Sequence, residues 1–279
     1  FTSLFLNRSG REKADEASGT IYLAYNTGIF LAFIAGSFFY DMIGMRFFFL
    51  TSAALAMAGL GIFVKDGEKP AIQEKTEEKS PTIHQVLQVL RHQRLIHYSV
   101  MSALLQTVIF STALSFVFNY AQRIGAGGFE LGMMSVALSL AGIVITLGIG
   151  AGFTSRIPDK ALIEGSFILL GIYCAIVPVV TKVWPLYLLQ ALAGAGRAVA
   201  SSMIMASAVK EFNDKERSVA MGAYQTIYSF GVTLGPVLMG LLIDAYGYEK
   251  AFLSICFVCC ATAVLELTQK RWEKRNKVF

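Results

Sequence analysis

Charge is what this sequence has least of. Asp, Glu, Lys and Arg make up only 15% of its 279 residues, against about 25% in an ordinary soluble domain. Hydrophobic residues make up 55% and Phe alone occurs 21 times. Together these exclude a disordered chain and a soluble enzyme of the usual kind. Proline is scarce, with six in all, so long apolar segments run uninterrupted. The four cysteines do not form a secreted disulfide framework, because Cys174, Cys256, Cys259 and Cys260 all sit inside apolar runs. The Cys256-x-x-Cys259 spacing reads as small apolar filler without His or Cys partners nearby. No His-Glu-x-x-His, Gly-x-Ser-x-Gly or mid-span pair of aspartates occurs, so no catalytic residues, metal site or cofactor are expected.

What is present is a series of apolar runs. A bilayer crossing needs about 20 mostly apolar residues, and eight runs qualify: 18–40, 45–64, 95–119, 128–153, 161–181, 185–209, 218–243 and 248–268. They are expected to be helices, because unpaired backbone is too costly in lipid. Segments such as Ala53–Gly61 and Leu138–Ile149 are apolar on every face, which rules out the alternation of barrel strands. The expected class is therefore an all-α membrane protein in a lipid bilayer.

Nineteen of the 24 lysines and arginines fall on one side of these runs, and four on the other: Arg46, Arg123, Lys182 and Lys250. The positive-inside rule then places both chain ends in the cytoplasm of a multi-pass cell-membrane protein. The net charge of +5 follows from this bias and requires no nucleic acid. One cation, Arg197, lies inside a run.

The chain repeats itself at an offset of 203 residues. Residues 17–58 against 220–261 pair Tyr25 with Tyr228, Gly28 with Gly231, Asp41 with Asp244, Gly44 with Gly247 and Phe49 with Phe252. The first run maps on the seventh, so the repeat unit is six spans in parallel orientation. On that logic roughly 110 residues and four further spans are expected before Phe1. The expected organisation is 1–64 as the last two helices of one six-helix bundle, 65–94 as a charged cytoplasmic linker with an amphipathic helix, and 95–279 as a second bundle with a basic tail. The histidines His84, His92 and His97 gather at the end of this linker, where no carboxylate or cysteine of the same helix completes a metal site.

These features resemble the major facilitator superfamily of secondary transporters. The seventh run reads Gly231-Val-Thr-Leu-Gly235-Pro236, then Gly240, then Asp244-Ala-Tyr-Gly247, similar to the family's Gly-Pro helix and outward turn. Gln190-Ala-Leu-Ala-Gly194-Ala-Gly196 is similar to its Arg-x-x-x-Gly-x-Gly signature, with Gln in the Arg position. The loop Ser155-Arg156-Ile-Pro158-Asp159-Lys160 looks like a weak copy of its Asp-Arg-x-Gly-Arg-Lys loop. The resemblance covers the family's fifth to twelfth helices of twelve. It implies a monomer that moves a small-molecule substrate by alternating access. Ala32-Phe33 stands where the family's drug/proton antiporters usually carry Gly-Pro, and the sugar-porter signatures are absent. An efflux-type antiporter is the first reading. An organic-anion or metabolite uptake carrier, a uniporter, or a non-transporting receptor or scaffold stay open.

The polar residues inside the runs are the candidate cavity. Arg197 is 13 residues from both Trp184 and Lys210, roughly 20 Å from either end of a helix, so it should meet a wet cavity or a partner. Gln190, Gly194, Arg197 and Ser201 fall on one helix face. Tyr25 and Asn26 in the first run, Gln106 in the third, and Gln225 and Tyr228 in the seventh complete the set. Arg156, Lys160, Gly231, Gly235, Pro236, Asp244 and Gly247 are the expected gating positions. Gly148 and Gly152 offer another small-xxx-small step. No acidic residue is mid-span, so the group for any proton coupling is expected in the preceding helices.

Overall fold

The computed structural model describes residues 28, 31–32, 45–65, 89–152, 154 and 156–276. The first apolar run, with Tyr25 and Asn26, and most of the linker lie outside the described residues. All regular structure among those described is helical: α1 (Met45–Lys65), α2 (Gln93–Arg123), α3 (Gly128–Gly150), α4 (Asp159–Val179), α5 (Trp184–Val209) and α6 (Asp214–Asn276). Five of these, α2 to α6, are long and apolar enough to cross a membrane. Every described side chain of α1 is exposed.

The starts of these helices follow local rules. Glu130 accepts the Gly127 N–H at 3.0 Å ahead of α3, and Asn213 Oδ1 accepts the Glu216 N–H at 3.0 Å at the start of α6, satisfying donors that the helix itself leaves unpaired. The 63 residues of α6 would reach roughly 95 Å if straight, three times the hydrocarbon thickness. They do not run straight. Gly247 takes φ 81°, ψ 170°, a conformation essentially reserved for glycine. It divides α6 into a first arm, 214–246, and a second, 248–276, which correspond to the seventh and eighth apolar runs.

Bundle packing centres on α2. Its inner face, Leu95, Met101, Leu105, Val108 and Ile109, is buried. Gly231 and Gly235 in the first arm of α6 meet it at such close range that a Cβ on Gly231 would lie 2.0 Å from Ala103 O, and one on Gly235 2.9 Å from Thr107 Cα. On the other flank a Cβ on Gly194 of α5 would lie 2.1 Å from Leu138 O of α3. These glycines are therefore backbone-to-backbone contacts. Gly148 is different: a Cβ there meets nothing within 4 Å, and Gly152, at φ 82°, belongs to the turn that follows α3. The small-xxx-small step expected at that pair is not a helix contact among the described residues.

The cysteines also depart from expectation. Gly171 of α4 packs on Cys259 Cβ and Cys256 Sγ of α6, and the Cys174 thiol adjoins Cys259. All four thiols are free. Cys174 thus shares the α4–α6 seam with Cys256 and Cys259, which lie 82 and 85 residues further along the chain, a proximity that no local spacing encodes.

Gly231→Leu and Gly194→Val are expected to destabilise the purified protein by at least about 1–3 kcal/mol, since backbone has to move. Gly148→Ala should change it by less than about 0.5 kcal/mol. Unfolding in detergent micelles measures both; equal losses at all three positions would refute the contact assignment.

Candidate functional site

The polar groups inside the bundle differ in burial. Gln190 is fastened. It is fully buried, and its Nε2 donates to Ala113 O of α2 at 2.9 Å. The reason lies in α2, which makes a π-turn over Thr112–Phe116, with Val117 N–H reaching Thr112 O. Returning from i+5 to i+4 bonding passes over one carbonyl, and the Gln190 amide meets the carbonyl of Ala113. Ser111 and Thr112 turn their hydroxyls back on Val108 O, at 3.3 and 2.6 Å, further loosening regular pairing at this level. The glutamine that replaces the family's arginine in Gln190-x-x-x-Gly194 is a neutral amide able to serve a backbone oxygen.

Ser102 is fastened too. Its Oγ lies 2.7 Å from the Tyr224 hydroxyl, a buried bond between α2 and α6 beside the Gly231 contact. Tyr224 stands 5.8 Å, ring to ring, from Tyr228, which carries this aromatic pair up the first arm of α6. Sequence spacing gave Tyr228 through the repeat but not Tyr224. An inward tyrosine one turn earlier, with Ser102 as the hydroxyl partner, was the available signal.

Arg197 and Ser201 are half-buried on the stretch of α5 that follows Gln190 and Gly194. Since Gln190 faces α2 and Gly194 faces α3, this face of α5 lies over the groove between them. Ser201 Oγ donates to Arg197 O at 2.7 Å. Arg197 stands 13 residues from the start of α5 and 12 from its end, at mid-depth. Gln106 and Tyr228 are half-buried, and Gln225 is exposed.

Among the expected gating positions, Arg156 is exposed and Lys160 half-buried in the first turn of α4. The acidic group at Glu12, Asp15 and Glu16, expected to approach Arg156, lies outside the described residues. Pro236 interrupts the first arm of α6 directly after the Gly235 contact. Asp244 and Gly247 are exposed at the turn between the two arms of α6. Nearby, Arg123 lies 4.8 Å over the Tyr248 ring, and Tyr120 OH lies 2.8 Å from both Pro178 O and Val180 O. These contacts join the C-terminal ends of α2 and α4 to the turn within α6.

At the start of α2, Arg94 Nε donates to Ser207 O at 3.1 Å and Arg94 also pairs with Glu211, while His92 stands 3.5 Å from the same carboxylate. The helix holding these histidines lacks a carboxylate, but α5 brings one to it. Among the described residues no group of three or more His, Cys, Asp or Glu side chains is placed to hold a metal.

The sequence profile of the Major Facilitator Superfamily matches residues 2–163 and 152–277. The chain belongs to the major facilitator superfamily. It is also 28% identical over 129 residues to the multidrug resistance protein Stp of Mycobacterium tuberculosis H37Rv, and equally to the same protein of strain CDC 1551. Those matches span 46% of this chain and 24% of Stp, so the chain aligns with about a quarter of that relative's length. Family membership fits an all-helical, multi-pass membrane protein, as the apolar helices require.

Gln190→Leu should cost about 1–3 kcal/mol, the penalty for stranding a buried carbonyl. Ser102→Ala and Tyr224→Phe should couple by roughly 0.6–1.7 kcal/mol in a double-mutant cycle. Unfolding in detergent tests both; an uncoupled Ser102–Tyr224 cycle would contradict the bond.

Proposed function

We propose that this chain forms part of a secondary transporter that carries small organic solutes across the cell membrane by alternating access, in the direction of efflux. The family match over residues 2–163 and 152–277 supports a transporter in place of an enzyme. The likeness to a protein named for multidrug resistance supports efflux of chemically varied compounds. Rocking of two six-helix halves about a midplane site is the mechanism that parallel repeats provide. Close glycine contacts let α2 and the first arm of α6 move as a pair, and Pro236 gives that arm a place to bend.

In this reading the solute contacts the half-buried face of α5 at Arg197 and Ser201, with Gln106, Gln225 and Tyr228 at its margins and Tyr25 and Asn26 facing them from the other half. Gln190 holds α5 against α2 behind that face. Arg156, Lys160, Asp244 and Gly247 belong to the loops that open and close the two ends. The protein acts as a monomer, with both chain ends in the cytoplasm. One observation favours a second reading, uptake of an organic anion: a mid-depth guanidinium is suited to a carboxylate, which it binds in a planar fork.

The full-length protein, expressed in cells lacking their own efflux pumps, separates these readings. Efflux predicts faster loss of a preloaded cationic dye such as ethidium, reduced at least about tenfold by Arg197→Gln if the guanidinium shapes the site. Anion uptake predicts no dye efflux, carboxylate accumulation, partial loss in Arg197→Lys and complete loss in Arg197→Gln, because lysine keeps charge but not the fork. Unchanged transport per folded molecule in both variants would remove Arg197 from the pathway.

A further inference from the structure

Four sulfur atoms gather where α4 meets the second arm of α6. Cys174 and Cys259 are completely buried, Cys256 is half-buried and Cys260 is exposed. The two backbones come close at Gly171, where a Cβ would lie 3.4 Å from Cys259 Cβ and 3.9 Å from Cys256 Sγ. Cys174 follows Gly171 by one turn of α4, and its thiol adjoins that of Cys259. Cys256 stands one turn from both Cys259 and Cys260, with its thiol beside that of Cys260. The sulfurs thus form a ladder from the exposed surface of α6 into the seam. The surroundings are apolar: Cys174 and Cys259 belong to the hydrophobic core. α4 carries no charged residue between Glu164 and Lys182, and α6 none between Lys250 and Glu266. Thr112 of α2 adjoins Cys174, but its hydroxyl already donates to Val108 O at 2.6 Å.

We propose that Cys174 and Cys259 form a two-thiol site for a soft, thiophilic metal cation, with divalent mercury as the ion that matches it. Thiolate ligands select soft cations, and such an ion is satisfied by two sulfurs in line. Structural zinc takes four ligands, and no set of even three is placed to hold a metal among the described residues. Charge then chooses among soft ions. A complex buried in an apolar seam has to be neutral, because an unpaired charge there is costly. Two thiolates on a divalent ion are neutral, whereas on monovalent copper or silver they leave a net negative charge. The step balances without redox chemistry. Mercuric chloride arrives as a neutral molecule; two S–H and two Hg–Cl bonds break, two S–Hg bonds form, and two protons leave with two chlorides. Cys260 and Cys256 supply the entry route. The ion passes inward as each new S–Hg bond forms and the sulfur left behind regains a proton. Once filled, the site links α4 covalently to the second arm of α6.

This site is independent of the transporter reading, since cation binding is measured without any solute. The experiment is a titration of the full-length protein in lipid vesicles with mercuric chloride, followed by mercury-edge X-ray absorption and by thermal unfolding. The expected result is a mercury site with two sulfur neighbours, accompanied by an upward shift of the unfolding midpoint, because the ion binds the folded state. Both should be lost in C174A and in C259A. The double variant C256A/C260A should keep both and fill more slowly. If C259A does not fold, C174A, which leaves the Gly171–Cys259 contact in place, carries the comparison. A two-sulfur site and midpoint shift that persist unchanged in C174A would overturn the proposal. So would their loss in C256A/C260A, or oxygen and nitrogen neighbours in place of sulfur in the wild type.

Discussion

Apolar side chains gain nothing by leaving lipid for one another, so a helical bundle in a membrane depends on how closely its backbones approach. In this protein that constraint is met at Gly231 and Gly235 against Ala103 and Thr107, and at Gly194 against Leu138. Each glycine removes the one side chain that would hold two helices apart. α2 stands between the consequences: it takes the first arm of α6 on one side and, through α5, is connected to α3 on the other. The many exposed Leu, Ile, Val and Phe side chains on the outer helix faces are suited to lipid and contribute little to holding the helices in place.

With dispersion contacts fixed by glycine, polar groups set which helix pairs with which. Gln190 joins α5 to the π-turn of α2, Ser102 joins α2 to Tyr224, and Arg94 joins α2 to the end of α5. The Gln190 and Ser102 bonds are buried and satisfy groups that would otherwise be stranded away from water. Tyr120 OH donates to the backbone after α4, and Arg123 lies over the Tyr248 ring of α6. The fastened groups lie against neighbouring helices. Arg197, Ser201 and Gln106 are half-buried.

Much of the architecture was legible in the sequence because its causes are local. The length and apolarity of each run demand a helix, so the expected segments 95–119, 185–209 and 45–64 match α2, α5 and α1 to within a few residues. The Asp244-x-x-Gly247 pattern marked a turn between two spans, since a backbone at φ 81° requires glycine. Gly231 and Gly235 were identifiable as packing positions by their spacing. At Gly148 and Gly152 the same spacing meets no neighbour among the described residues, and Gly152 lies in a turn at φ 82°.

Composition and periodicity by themselves determined that this is a multi-pass helical membrane protein, and its motifs pointed to the family that the sequence profile establishes. Only the tertiary structure decided what each polar residue does. Gln190 and Arg197 occupy one helix face, yet one is buried on a carbonyl and the other lies half open, because the π-turn of α2 presents its free oxygen at one level only. His97 and Glu266 are 169 residues apart, and Cys174 is 85 residues from Cys259. No period along the chain brings such groups together. Their meeting follows from which helices approach, and that was decided by where a missing side chain lets two backbones touch.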